Sequence, residues 1–538
     1  MPDEAFESDV LVIGSGFGGS VAALRLAEKG YRVTVIESGR HFRDEDFAAS
    51  PWQARRMWWA PRLGLRGILR LRVRRRLIAV MGCGVGGGSL AYAGVHYRPG
   101  AEVFQSPAWD QAVDWDSELA PFFARAERML GTTTVPGLTT GDTALREAAG
   151  SFSADVSVHP TRAGVFFGMP GQQVPDPYFG GQGPSRRGCT GCGQCTSGCR
   201  TGAKNTLIKN YLHLARQAGV QIRELTTAGS LEPEPGGGWR VHTVSSRRAD
   251  RHEIVRARQV VLAGGAWGSA ELLHRSRAYL PGLSEALGTA TRTNREVMTA
   301  ASSHAFDIGP GVTISSAVRL SPTTLIQLCR LAPGSHPLAG LLWPLRGPWR
   351  AFGKGTAGFL VMERGESTLN SYWQGPWGAR MSFRPGTGHE PVRLAAGEAF
   401  TDHFAQLIGG RACRLASTLL RVPVTGHLMG GCPIGTHPER SVADLYHRVH
   451  GHPTLHVIDA SAVPGSLGVN PALTITAMAE RALAAWPQAG YPDPRAAQGQ
   501  PYIPITPENP SWPAASSSPS DAPASSPGSH PRCCPPST

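Results

Sequence analysis

Asp9-Val10-Leu11-Val12-Ile13-Gly14-Ser15-Gly16-Phe17-Gly18-Gly19 opens the first strong pattern of the chain, and Tyr31 to Glu37 closes it. Residues 9–13 are an apolar run that suits a parallel strand buried on both faces. Residues 14–19 match G-x-G-x-x-G. Gly14 permits the tight turn, Gly16 lets backbone beside Phe17 and Gly18 approach a pyrophosphate, and Gly19 lets helix and strand pack closely. Val21, Leu24, Leu26 and Ala27 carry helical spacing towards Lys29, Gly30 ends that helix, and residues 31–36 form a second strand. The helix start offers free N–H groups to phosphates. Glu37, about twenty residues beyond the glycines, stands where ribose hydroxyls are accepted. The unit predicts an α/β, Rossmann-like dinucleotide domain, and alone it admits NAD as readily as FAD.

Further along, Gly82-Cys83-Gly84-Val85-Gly86-Gly87-Gly88-Ser89-Leu90 reads as backbone lying flush against a flat ligand, with Gly86, Gly87 and Ser89 as candidate contacts. Val261-Leu262-Ala263-Gly264-Gly265-Ala266 ends another strand, and Gly264 marks the return of the chain to the same domain. Residues 207–218 read as a helix; 221–225, 239–244, 260–263 and 455–458 read as strands, and 471–485 as a helix. The expected organisation is a discontinuous FAD-binding domain (1–135, 201–300 and 426–490) and a second, sheet-plus-helix substrate-binding domain (301–425). An irregular lid and cysteine segment (136–200) and a disordered tail (491–538) complete it. Residues 501–538 hold 11 Pro and 9 Ser, too little apolar surface for a core.

Three stretches near the end carry the chemistry: His427-Leu428-Met429-Gly430-Gly431-Cys432, Leu455-His456-Val457-Ile458-Asp459-Ala460-Ser461 and Gly468-Val469-Asn470-Pro471-Ala472. Together with residues 14–32, 84–90, 174–181 and 202–212 they resemble the glucose–methanol–choline (GMC) oxidoreductase family, in its cholesterol oxidase branch of actinobacterial type. The resemblance runs from Asp9 to about Pro501. It implies FAD rather than NAD. It implies oxidation of a sterol or related lipid alcohol to the ketone, with molecular oxygen as acceptor. His427 then binds the substrate hydroxyl and takes its proton, Asn470 sits beside the flavin, Asp459 and Ala460 meet the ribityl chain, and Pro471 flanks the pyrimidine end. A histidine suits proton removal near neutral pH. One position departs from the branch: where it carries a glutamate that moves a steroid proton, counting along residues 314–330 finds Gln327. An amide cannot abstract a proton, so double-bond isomerisation is in doubt. Tyr92 stands where some relatives carry an asparagine. A dehydrogenase with another acceptor, and a flavin-bound lipid carrier without turnover, remain alternatives.

Two features fall outside that resemblance. Cys189, Cys192, Cys195 and Cys199 reproduce a ferredoxin spacing, although Arg200 replaces the usual proline. An iron–sulfur cluster, a zinc ion or reduced thiols shaping a loop all fit that spacing. Residues 55–76 hold nine arginines among tryptophans and leucines, against a net charge of +13 for the 538-residue chain. The segment reads either as a cationic lid touching anionic lipid or as a folded lid whose arginines face water. No nucleic-acid module accompanies the charge. No basic leader and no apolar run of about 18 residues is present, so a cytoplasmic or membrane-surface location is expected.

Overall fold

The structure is a computed structural model that describes residues 6–50, 52–153, 156–248, 250–331, 353–375, 380–389, 394–414 and 422–507. Strand β1 (Ser8–Ile13) is apolar and buried from Val10 to Ile13, as suits a strand in the middle of its sheet. Helix α1 (Phe17–Glu28) begins directly at the glycine turn rather than at Val21, and β2 (Val33–Ile36) lies parallel to β1, with Val10 opposite Val33. The basic segment forms a hairpin of β3 (Leu69–Arg74) and β4 (Leu77–Gly82), with Leu71 opposite Val80.

The segment expected to be irregular, 136–200, instead contributes α2 (Thr140–Phe152). A capping box between Thr139 and Asp142 starts this helix, and Leu145, Ala148 and Ala149 bury its inner face. The chain then returns to the first sheet through β5 (Gln221–Arg223), β6 (Trp239–Ser245) and the long β7 (His252–Leu262), followed by α3 (Gly265–Ser276). The helix expected over 207–218 is split at Asn210, whose side chain caps a shorter helix, Tyr211–Gln217.

A second, antiparallel layer follows: β8 (Glu296–Ser302), β9 (Thr324–Arg330) and β10 (Thr356–Glu363) lie at the centre of a six-stranded sheet. Helix α4 (Ala395–Leu407) and α2 cover one face through Phe359, Phe400, Phe404 and Leu145. The opposite face, with Met298, Ile314 and Leu360, looks onto a cavity shared with the first domain. Two crossings join the layers. Strand β11 (Val424–Thr425) pairs with β4, and β12 (His452–Val457) extends the last three residues of β7 in parallel before α5 (Ala472–Ala484) packs on α1.

Residues 491–507, expected to be disordered, are mostly exposed but fastened to the surface at a few points. Tyr502 donates to Glu118 and accepts from Arg481, and Ile505 is buried in the main core. The polar composition misleads there because a few side chains suffice to fasten a strap to a finished surface. The remainder of the expected tail, 508–538, lies outside the described residues. Among the described residues no helix is long and apolar enough to cross a membrane.

Candidate active site and cofactor cavity

One cavity of about 750 Å³ runs from the glycine turn to the second sheet. Its nucleotide end is lined by Gly14, Gly16, Phe17, Gly18 and Glu37, with Gly87, Gly264, Asp459, Ala460 and Pro471 further along. A Cβ on Gly18 would sit 1.8 Å from the Ile458 carbonyl oxygen, so this glycine lets the β12 crossing touch α1. A Cβ on Gly16 would meet nothing within 4 Å, and the backbone there stands open to the cavity. Glu37 is buried; its oxygens accept from Ser15 Oγ at 2.8 Å and from the Gly39 N–H at 2.8 Å, which fixes the carboxylate at the end of β2. Asp459 accepts from the Gly265 N–H (2.8 Å) at the start of α3, and from Ser269 and Ser461. Burial raises its pKa, partly offset by those donors.

Gly19, Gly86 and Ser89 do not line the cavity. Gly19 packs against Gly14, the Gly86 N–H donates to Ser15 Oγ at 3.0 Å, and Ser89 Oγ donates to the Gly86 carbonyl at 2.7 Å while accepting from the Leu207 N–H. These three hold the walls in shape.

At the other end His427 and Asn470 come together across 43 residues of sequence, with Asn470 Nδ2 3.5 Å from His427 Nε2. His427 follows β11, and Asn470 precedes α5. The decisive partner is one that sequence reading missed. Glu296, first residue of β8 and 4% exposed, accepts from His427 Nδ1. The same carboxylate accepts from the Gly426 N–H at 2.7 Å. Burial would raise the Glu296 pKa, but the charge and hydrogen bond of His427, with Thr425 and Gly426, outweigh it and hold the carboxyl below its ordinary range. With Nδ1–H committed to Glu296, His427 Nε2 presents a lone pair to the cavity. Gln327, fully buried on β9, donates from Nε2 to Asn470 Oδ1 at 2.5 Å and keeps Asn470 Nδ2 turned towards His427. Asn294 brackets the same turn: it donates to the Val469 carbonyl at 2.8 Å and accepts from the Gly468 N–H at 2.9 Å. The available signal for Glu296 was a carboxylate heading an otherwise apolar strand.

The GMC oxidoreductase family models match residues 183–281 and 398–479, and an FAD-binding domain model matches 9–54. A cholesterol oxidase of Mycobacterium tuberculosis (strain ATCC 25618 / H37Rv) is 42% identical over 96% of this chain and 96% of its own. One from Acinetobacter baumannii is 35% identical over 89% of this chain and 94% of its own. The chain belongs to the GMC oxidoreductase family. Its fold is shared with pyridoxine 4-oxidase from Mesorbium loti, at a TM-score of 0.61 and 17% identity over 88% of this chain and 98% of that one. As a GMC oxidoreductase it is an FAD enzyme, and the cavity fits that cofactor: an open Gly16 backbone at a helix start for the pyrophosphate, an anchored Glu37 for the ribose, and a polar pair at the far end.

The four cysteines of the run in this GMC oxidoreductase do not line that cavity, although Thr196 between two of them does. All four cysteines border a small void of about 20 Å³, and the Gly191 and Lys204 N–H groups point at Cys189 and Cys199 sulfurs. Burial pushes the Cys189 thiol up to about 11 and raises Cys195 too. Among the described residues no three His, Cys, Asp or Glu side chains are arranged to hold a metal ion, so the iron–sulfur and zinc expectations find no support. Lys204, buried beneath the cysteines, donates to the carbonyls of Leu90, Tyr92 and Cys195, and burial lowers its pKa to about 8.

Proposed function

We propose that this GMC oxidoreductase oxidises the 3β-hydroxyl of a cholesterol-like sterol, or of a related lipid alcohol, to the ketone with oxygen as acceptor. The observation that carries the reading is the His427–Asn470 pair, backed by Glu296, at the end of a cavity whose second-domain wall is apolar at Met298, Ile314 and Leu360. The two near-full-length cholesterol oxidase relatives support the substrate class. FAD, when bound, supplies the hydride acceptor and passes the electrons to oxygen, which leaves as hydrogen peroxide.

The residues of the chain do the rest. His427 Nε2 takes the hydroxyl proton as the carbinol C–H breaks, and Glu296 stabilises the imidazolium that results. Asn470 Nδ2–H fixes the substrate oxygen, in an orientation set by the Gln327 donor. Gly14, Gly16, Phe17, Gly18 and Glu37 hold the nucleotide half, and Asp459, Ala460 and Pro471 the other. The carboxylates lining the cavity among the described residues are Glu37, Glu271, Glu296 and Asp459. Only Glu296 is at the reacting end, and His427 occupies it, so the ketone leaves with its double bond unmoved.

Contact with a lipid surface through residues 55–76 is part of the same reading, supported by the exposure of Leu63 (76%), Leu71 (47%) and Val73 (56%). Flotation with anionic vesicles tests it, and protein left in the dense fraction overturns it. The central test is anaerobic stopped-flow mixing with 3β-hydroxysterols, followed by product analysis. Flavin bleaching and an unisomerised ketone are expected; a flavin that stays oxidised with every sterol offered removes the proposal.

A further inference from the structure

Strand β3 is built inside out. An alternating Leu-Arg-Leu-Arg-Val-Arg strand beside a cavity ordinarily turns its apolar residues inward. Here Leu71 and Val73 face out, 47% and 56% exposed, while Arg70 and Arg72 line the cavity beyond Leu69. The register with β4 imposes this, placing Arg72 opposite the buried Ala79 and Arg74 opposite the buried Leu77. Buried guanidinium groups are costly unless something anionic or polar meets them.

Two of the three inward arginines are satisfied by the protein. Arg70 Nη2 donates to Ser38 Oγ at 3.1 Å and to Cys83 Sγ at 3.2 Å, and lies over the Trp59 ring. Arg74 Nε donates to the Met381 carbonyl at 2.7 Å and lies over Trp267. Between them, the Arg72 Nε is buried with no hydrogen-bond partner. Burial, then the neighbouring Arg70 and Arg74, lower its pKa, against the pull of Glu271.

The position identifies what this cationic wall meets. Ser38 Oγ, the partner of Arg70, is 3.3 Å from Glu37 Oε1, the carboxylate placed for the ribose. Arg72 is one same-face step further along the strand, roughly 6.6 Å. Thr226, Thr227 and Ala228 line the same cavity. We infer that β3 covers the adenosine half of FAD, with Arg70 and Arg72 as its guanidinium contacts. An adenine offers a face on which a planar guanidinium stacks and ring nitrogens that accept from it. Because β4 pairs with β11, and His427 follows β11, closing this cover on the nucleotide also steadies the strand that carries the proton acceptor.

The inference rests on the FAD assignment and not on the sterol, so it is tested by cofactor retention without turnover. Purified holoenzyme is diluted and released FAD is followed by its fluorescence. Arg72→Leu is expected to release FAD at least about tenfold faster than the parent, Arg72→Lys to fall between, and Arg75→Leu, at the exposed hairpin tip, to match the parent. Equal rates for Arg72→Leu and Arg75→Leu would overturn it. A second measurement needs no variant. In the parent holoenzyme, phenylglyoxal is expected to modify Arg75 but spare Arg72 until FAD is stripped, as read by peptide mass. Equal labelling of Arg72 with and without FAD would overturn the inference, whatever the sterol assay returns.

Discussion

The two ends of the cavity are built in opposite ways. At the nucleotide end, residues 14–37 form one continuous strand–turn–helix–strand unit, which carries the glycine turn for the pyrophosphate and the ribose carboxylate Glu37. At the reacting end, Glu296 and His427 are 131 residues apart and Gln327 and Asn470 are 143 apart, joined only where two layers meet. The first end depends on local backbone geometry, the second on a relay of hydrogen bonds across domains. Damage should therefore differ in kind: loss of cofactor or fold at one end, loss of rate with FAD still bound at the other.

The sharpest break is expected at His427. Replacing it with alanine should slow flavin reduction by about 10³–10⁴-fold while the absorbance of bound FAD is retained; a smaller loss than Glu296→Gln would reverse their assigned order. Glu296→Gln comes next, at about 10²–10³-fold, because an amide can donate to Nδ1 and so select the tautomer with its proton on Nε2. A rate like the parent would leave Glu296 merely structural. Gln327→Leu should cost about tenfold in kcat with little change in KM, since Asn470 loses its orienting donor; an effect confined to KM would argue against that role.

At the nucleotide end, Gly18→Ala places a carbon against the Ile458 carbonyl and should yield protein that purifies without FAD or does not fold, as ultraviolet–visible spectra and size exclusion would report. The smallest effect is a pH dependence. The folded-state pKa of Glu296 is depressed, so its contribution to stability is present above the ordinary glutamate value, near 4.3, and is lost as pH falls through the lower folded value. Urea melts between about pH 5 and pH 3 should fall more steeply for the parent than for Glu296→Gln.

The nucleotide unit was legible because each signal acts over a few residues: apolar strand, glycine turn, helix, terminal acid. His427 and Asn470 were legible through the resemblance around them. Glu296 and Asn294 were not, because neither sits in a pattern that spacing reveals; both gain meaning from contacts with residues more than a hundred positions away. The arginines of β3 show a third situation. Their alternation was visible, but which face met solvent depended on pairing with β4, and the structure turned them inward. Residues 491–507 reversed expectation for a related reason, since their anchors, Glu118, Tyr446 and Arg481, belong to other parts of the chain.

By itself, then, the sequence determined a Rossmann-like α/β domain, a dinucleotide at residues 14–37 and the identity of the histidine and asparagine at the reacting end. The domain and its glycine turn follow from backbone conformations that neighbouring residues dictate, and the histidine and asparagine from the family resemblance around them. Only the tertiary structure decided which side chains complete the site: the carboxylate that selects the His427 tautomer, the amide that aims Asn470, and the arginines that face the nucleotide. Those depend on register and on how two layers meet, and hydrogen-bond geometry between distant strands leaves no trace in local spacing.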